Sequence, residues 1–357
     1  MTSHYPKTIA AMILAGAAMA LTAHGQPAAA ADPATTTAPE VKAPEPALAA
    51  GLSDYRHELA RTLGKGDSPR DWALAAQLLE TQPPSGARLR ERLQLLRRAA
   101  AAAPGDRIVQ SAWARVCENR RGCGDPGALA RIDPGNGAAW IPPVSAAWKS
   151  GNLRAVDAGL ARIAASGRFN EHYGKAIGVW RELFARHPPP SPAQADPARE
   201  ADYVLSLALD EATAMAIPDT AAIIDACSKA RHPQASSRRF ASCGRVGRLL
   251  MDRAQTLTGR MAGVAIVRES GTATKDDDAR IRAIAWRFEQ MGKVYAQLAA
   301  DPVARQNYVN MVQANDSEMA AIGYQLAITG LPPMPPAGWE PTETTQPVRP
   351  QAEAATP

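Results

Sequence analysis

Asp133-Pro134-Gly135-Asn136-Gly137-Ala138-Ala139-Trp140 opens the stretch that decides the fold, and Ile141-Pro142-Pro143-Val144 through Ala165 completes it. Asn136 is a capping residue, because its short amide accepts a hydrogen bond from a first-turn backbone N–H. Pro142-Pro143 does not suit a helix interior, where a proline removes a donor and clashes with the preceding turn at roughly 3 kcal/mol. The first helix is therefore expected to begin at Pro142, with Trp140 in the turn before it. Lys149-Ser150-Gly151-Asn152 is a turn in which the glycine allows tight reversal. Leu153–Ala165 is a second helix with Val156, Leu160 and Ile163 on one face. Each helix of such a pair exposes an apolar stripe that must be buried against neighbours.

Working outward, nearly every ordered stretch has helical periodicity, and alternating strand patterns are almost missing. Leu52–Leu63 ends at Gly64-Lys65-Gly66, and Ser68-Pro69 caps a helix through Trp72, Leu74, Leu78 and Leu79. Arg88–Ala103, Arg107–Arg120 and Pro126–Ile132 follow. Beyond the central pair, Asn170 is the expected N-cap of Glu171–Arg186. His187-Pro188-Pro189-Pro190 then begins a proline-rich loop, 188–198, separating helical regions 47–187 and 199–331. Helices are expected over Arg199–Ala216, Asp219–Ala230 and Ala241–Thr258. Asp276-Asp277-Asp278 opens an amphipathic helix through Ile281, Ile284, Phe288, Met291, Tyr295 and Leu298, its acids facing the helix dipole. Asp301-Pro302 caps one last long helix running through Leu326. The predicted fold class is all-α: helix-turn-helix pairs stacked as a solenoid between a disordered linker and a disordered tail.

The ends bound the compartment. Met1–Lys7 carries one lysine and no acid, and Thr8–Leu21 is small and apolar. That layout predicts a secretory signal peptide cleaved after Gly25 or Ala31. A Pro/Ala-rich linker through residue 46 follows, and prolines recur from Pro332 to Pro357, where only Trp339 offers an anchor. The chain is therefore expected in the periplasm or outside the cell, with no integral membrane segment after cleavage. Its net charge is +5 and its pI about 9.1. Acids alternate with the arginines, so the basic excess is a solvated helix surface and no nucleic-acid partner is expected.

Four cysteines, Cys117, Cys123, Cys227 and Cys243, are expected to form disulfides in an oxidising compartment. Of three possible pairings, the sequence-local one joins Cys117 to Cys123 and Cys227 to Cys243. Metal binding with His232 lacks a second close histidine or a Cys-x-x-Cys unit. Gly122-Cys123-Gly124-Asp125-Pro126-Gly127 fits Gly-x-Gly-x-x-Gly but follows no apolar strand, so no dinucleotide cofactor is expected. His57-Glu58-Leu59-Ala60-Arg61 is half a zinc-protease motif, with arginine in place of the second histidine. His172, beside Tyr173, is the best candidate for a buried polar histidine, and neither a nucleophile nor an orienting acid can be paired with it from sequence. No catalytic residue, metal ligand or cofactor is therefore assigned.

Asp133–Ala165 resembles one tetratricopeptide repeat. Asp133, Pro134 and Asn136 match the hand-over between repeats, Trp140 the large opening residue, Ala147 the small residue at the helix crossing, and Gly151 the turn. Val144 stands where the family usually carries glycine. The same stretch, with the Cys117/Cys123 pair before it, is similar to exported helical-repeat proteins of Gram-negative bacteria. The resemblance implies a scaffold that binds a protein or peptide partner on a face lined by first helices. The matching positions are Ala138, Ile141, Ser145, Trp148 and Lys149, with Ile141, Ser145, Trp148 and Lys149 as the peptide-binding candidates. Lacking the usual lysines and asparagines, they do not form a carboxylate clamp. The competing expectation is a cell-envelope hydrolase with a helical active site.

Overall fold

A computed structural model describes residues 46–79, 86–117, 124–190 and 197–341. They form helices and no strand. In chain order these are α1 (Pro46–Lys65), α2 (Pro69–Leu78), α3 (Gly86–Ala102), α4 (Arg107–Cys117) and α5 (Ala128–Ile132). A 3-10 turn (Gly137–Trp140) leads into α6 (Ile141–Lys149), α7 (Leu153–Ala164), α8 (Tyr173–Arg186), α9 (Pro197–Ala216) and α10 (Ala221–Ala226). The C-terminal third holds α11 (Ser237–Arg253), α12 (Leu257–Glu269), α13 (Lys275–Ala300), α14 (Pro302–Asn315) and α15 (Glu318–Ile328). Among the described residues no helix is long and apolar enough to cross a membrane.

Local chemistry explains most starts. Ser68 accepts from Asp71 N with Pro69 at the first helical position, and Asp301 accepts from Val303 N and Ala304 N ahead of Pro302. In the central pair Asn136 caps the 3-10 turn, the prolines fall in the first turn of α6, and Gly151 takes φ +73°. The close approach of α6 and α7 is made by Gly159, where a Cβ would overlap the Val144 side chain. The bulky Val144 is thus matched by a glycine on the partner helix, and the tight contact sits there, not at Ala147.

Three expected boundaries change. The predicted final helix breaks at Asp316, which turns left-handed (φ 47°), and Ser317 restarts it by accepting from Ala320 N. The helix expected over Ala241–Thr258 is α11, ending at Arg253, and Thr256 begins a further helix, α12. Gly259 and Gly263 weaken the helical signal of α12, yet packing requires Gly263: a Cβ there would lie 2.6 Å from Gly247 O and 2.7 Å from Met251 N on α11. The helix expected over Asp219–Ala230 shrinks to α10, because Asp219 caps Ala221 N and the chain turns at Cys227.

Helices far apart in sequence pack together: α7 on α11, α6 on α10, and α8 on α14. A one-dimensional stack has contacts only between neighbours, so this arrangement is more folded back than the expected array. One core joins Leu59 and Leu74 to Trp180, Leu205, Val264, Val309 and Ile322, and so runs across the proline-rich loop that divides the helical regions in sequence. A second core places Ile141, Val156 and Leu160 against Val246 and Ile266, and a third holds Trp72, Leu96, Val109 and Trp113. Cys227 and Cys243 are joined in a buried disulfide between α10 and α11. The expected Cys117–Cys123 bridge lies outside the described residues, as do the signal, nearly all the linker and the end of the tail. Residues 332–341 are held along α13: Trp286 Nε1 donates to Pro332 O, and Trp339 meets the Trp286 ring edge-on at 5.3 Å.

Candidate functional site

The polar groups converge where four inter-helix corners meet, around His172. The loop after α5 supplies Asp133 and Asn136, both 2% exposed. Asn136 accepts from Asn170 N at 2.9 Å and donates to Asn170 O at 2.8 Å and to Asp133 Oδ2 at 3.1 Å. Gly137 N donates to Arg168 O at 2.9 Å. The corner before the 3-10 turn is thereby laced to the corner between α7 and α8.

His172 stands at the N-cap position of α8 in the left-handed region (φ 57°), with its N–H on Asn170 Oδ1 at 2.6 Å. The sequence points to Asn170 as the cap, and its side chain does organise the corner, but the helix starts later, at Tyr173. The first turn of α8 is satisfied from across the molecule, since Lys175 N donates to Asp316 Oδ1 at 3.1 Å. His172 and Asp316 are the two non-glycine residues with positive φ among the described residues, and they touch each other. Such backbone conformations cost energy and persist where surrounding contacts enforce them.

The imidazole is a bridge. Nδ1 lies 3.3 Å from Asp316 Oδ2 and Nε2 lies 3.4 Å from Asp133 Oδ2. Arg168 pairs with Asp133, and Arg107 Nε lies 3.7 Å from its Oδ2. Burial raises the Asp133 carboxyl, but hydrogen bonds from Asn136, Arg168 and His172 outweigh it and hold the group below the usual carboxylate range. Asp316 is held low in the same way, its burial outweighed by His172, Asn170 and the Lys175 N–H. Both carboxyls are thus anionic acceptors.

Glu171, one residue away, braces the fourth corner, between α11 and α12. It is 6% exposed, accepts from Gln255 N at 2.8 Å and from Thr256 Oγ1 at 2.7 Å, and so sits at the N-terminus of α12. Burial raises its carboxyl to about 7, against the lowering effect of those hydrogen bonds. Glu318, half-buried at the start of α15, accepts from Leu257 N at 2.7 Å, and burial raises it also. Two carboxylates from distant segments therefore cap one helix, whose dipole favours negative charge there. None of Asp133, Glu171, Asp316 and Glu318 was a sequence candidate for a site; the capping-type run Asn315-Asp316-Ser317 was the signal available for one of them.

Both ring nitrogens of His172 face carboxylates, and those carboxylates also hold a helix end and arginines: Asp316 accepts from Lys175 N, and Asp133 pairs with Arg168 and Arg107. A cavity of about 430 Å³ lies elsewhere, lined by Arg97 and Ala101 of α3, Gln110 and Trp113 of α4, and Arg131 of α5. Among the described residues no group of three His, Cys, Asp or Glu side chains could hold a metal ion. His232 instead meets the Trp148 ring edge-on at 4.9 Å.

The peptide-binding candidates are not brought to one open face. Ile141 is 1% and Ser145 0% exposed, both inside the second core or beside it. Trp148 is half-buried and donates Nε1 to Asp225 Oδ2 at 2.9 Å, on the loop side of α10. Lys149 is exposed at the end of α6. Ala138, which the same register would place on that face, is buried. Of the acidic triplet, Asp277 is fully buried, forms a capping box with Thr274 and takes three hydrogen bonds from Arg248, which holds its carboxyl down at about 2. Comparison with protein-family models, with curated proteins and with solved structures gives no match.

Proposed function

We propose that the chain is an exported, tetratricopeptide-like helical scaffold that binds protein or peptide partners in the periplasm or outside the cell and carries out no catalysis. The observation that supports it best is the engagement of both nitrogens of His172 by Asp316 and Asp133. A general base needs a free nitrogen within reach of a proton to abstract, whereas this imidazole ties two chain corners together. The α6/α7 pair, with its capped entry, proline start and glycine turn, supports the repeat resemblance. The disulfide between Cys227 and Cys243 fits an oxidising compartment. With Ile141 and Ser145 buried, recognition by this pair is assigned to its rim, Trp148 and Lys149.

The test is affinity capture of the mature chain from envelope extract, followed by rebinding of the purified partner. A saturable interaction weakened by Lys149→Glu and unaffected by His172→Gln supports the scaffold. Turnover of cell-wall material that disappears in His172→Gln, while the fold is retained, overturns it in favour of a hydrolase.

A further inference from the structure

Residues 331–341 read Leu-Pro-Pro-Met-Pro-Pro-Ala-Gly-Trp-Glu-Pro, so five of eleven positions are proline. Proline has no backbone N–H, and its carbonyl is the one polar group it offers. The contacts from α13 match that chemistry. Trp286 Nε1 donates to Pro332 O at 2.8 Å, Arg287 Nε to Pro333 O at 3.4 Å and Arg282 Nη2 to Trp339 O at 2.5 Å. The Leu331 N–H closes the end of α15 on Leu326 O. Beyond it, among the described residues, no backbone–backbone hydrogen bond joins the segment to the body, and the Trp339 N–H turns back on Pro336 O. Leu331, Pro335 and Trp339 are half-buried, while most of the other side chains face solvent. The Trp339 ring meets Trp286 edge-on at 5.3 Å, and Trp286 is left 8% exposed.

The segment does not use all that α13 presents to it. Arg282, Trp286 and Gln290 recur every four residues, on one stripe of the helix. Arg282 Nε is buried without a hydrogen-bond partner, and so is the amide nitrogen of Gln290, which is 1% exposed. Glu340 reaches Arg282 at 4.0 Å and is itself 76% exposed. Burial holds the Arg287 guanidinium below its usual range, and its partner in the groove is a neutral carbonyl. The stripe therefore keeps donors and positive charge that residues 331–341 leave unmatched.

We infer that this groove on α13 is a docking site for a proline-rich segment of another protein, one bearing a tryptophan beside an acid, and that residues 331–341 fill it in cis as a displaceable stand-in. A buried donor without an acceptor costs free energy, so a segment that brings acceptors to Arg282 Nε and Gln290 competes with the stand-in. Proline-rich chains also lose little entropy on docking against an aromatic-lined groove. The stand-in is lightly held. It leaves α15 at Gly330, which takes φ +70°, and is fixed at its far end by the Trp339 ring and the Arg282 hydrogen bond. A segment with few buried side chains and no backbone ladder opens at far lower free energy than a helical core. Its tether makes it a strong competitor all the same, because a short covalent link supplies a local concentration on the order of millimolar. The site is distinct from the rim at Trp148 and Lys149, so each stands or falls separately.

The probe is a labelled peptide of the sequence Leu331–Pro341, added to the mature full chain and to Trp339→Ala, which loosens the stand-in. Trp339 lies outside every helix, so the helix content and melting of the variant stay those of the parent. The expected result is saturable uptake by Trp339→Ala, at least ~10-fold tighter than by the parent. Adding Arg282→Gln should weaken that uptake at least ~10-fold, and adding Lys149→Glu should leave it unchanged. In the parent alone, the Trp286 indole N–H under the segment should exchange with solvent far faster than the core amides of α13. No uptake by Trp339→Ala up to ~1 mM overturns the inference. Equal uptake by variant and parent, indifference to Arg282→Gln, or loss in Lys149→Glu overturns it too. So does an indole that exchanges only with global unfolding, since residues 331–341 are then a fixed part of the core.

Discussion

Replacing Glu171 by glutamine should remove a defined pH dependence from the stability of the protein. Glu171 is 6% exposed, and burial raises its carboxyl to about 7 in the folded chain from an ordinary value of 4.5. A raised acid binds its proton more tightly when folded than when unfolded. Between those two values the unfolded chain has already ionised while the folded chain still holds the proton. Stability contributed by this group is therefore complete below pH 4.5, falls as pH rises toward 7, and is constant above it. The full span is roughly 3 kcal/mol, and about 2.5 kcal/mol of it falls between pH 5 and pH 8. Glutamine does not titrate. Its carbonyl accepts from Gln255 N and its amide donates to Thr256 Oγ1, whose hydroxyl rotates to suit. Urea unfolding of both proteins across this range, at constant m, should show the stability of Glu171→Gln rising relative to the parent by ~2.5 kcal/mol from pH 5 to pH 8. Comparison with the parent cancels the contributions of Glu318 and the other titrating groups that the substitution leaves alone. Parallel pH curves would instead mean that Glu171 ionises alike in the folded and unfolded chain.

Other substitutions test the remaining supports. Asp277→Asn leaves the Arg248 guanidinium without its buried carboxylate and should cost about 3 kcal/mol at neutral pH in urea unfolding; because the folded carboxyl is depressed to about 2, that difference should shrink as pH falls from 3.8 through 2. Cys227→Ser with Cys243→Ser opens a bridge of sequence separation 16 and should cost about 3 kcal/mol; mass mapping without reductant should also find Cys117 linked to Cys123. Gly263→Ala forces a methyl onto the α11 backbone and should lower stability by about 1–3 kcal/mol, measured by thermal melting, whereas Gly323→Ala, open to solvent, should not lower it.

What could be read from sequence was local. The start of α6 at the prolines, the turn at Gly151 and the capping of α2 and α14 each depend on residues a few positions apart. So does the Cys227–Cys243 pairing, where a short loop closes a corner. The break between α14 and α15 was less legible, because Val312, Met319, Ile322 and Leu326 keep an apolar rhythm across it; the left-handed turn at Asp316 is enforced by His172, Asn170 and Lys175, more than a hundred residues away. The α12 helix hid behind glycines whose value lies in letting two helices touch. In the α6/α7 pair Ala138 and Ile141 are core positions, since α10 and α11 fold back over the pair. A residue pattern tells that a helix has an apolar stripe and leaves open which element covers it.

The central claim is that His172 is a tie between chain corners and not a base. It is tested most directly by a double-mutant cycle on unfolding free energy, with His172→Ala, Asp316→Ala and both together. Each single change is expected to be destabilising and the pair to be coupled by about 1 kcal/mol or more, because the two side chains meet at 3.3 Å in a half-buried setting. Additive losses, with no coupling between the two positions, would contradict it.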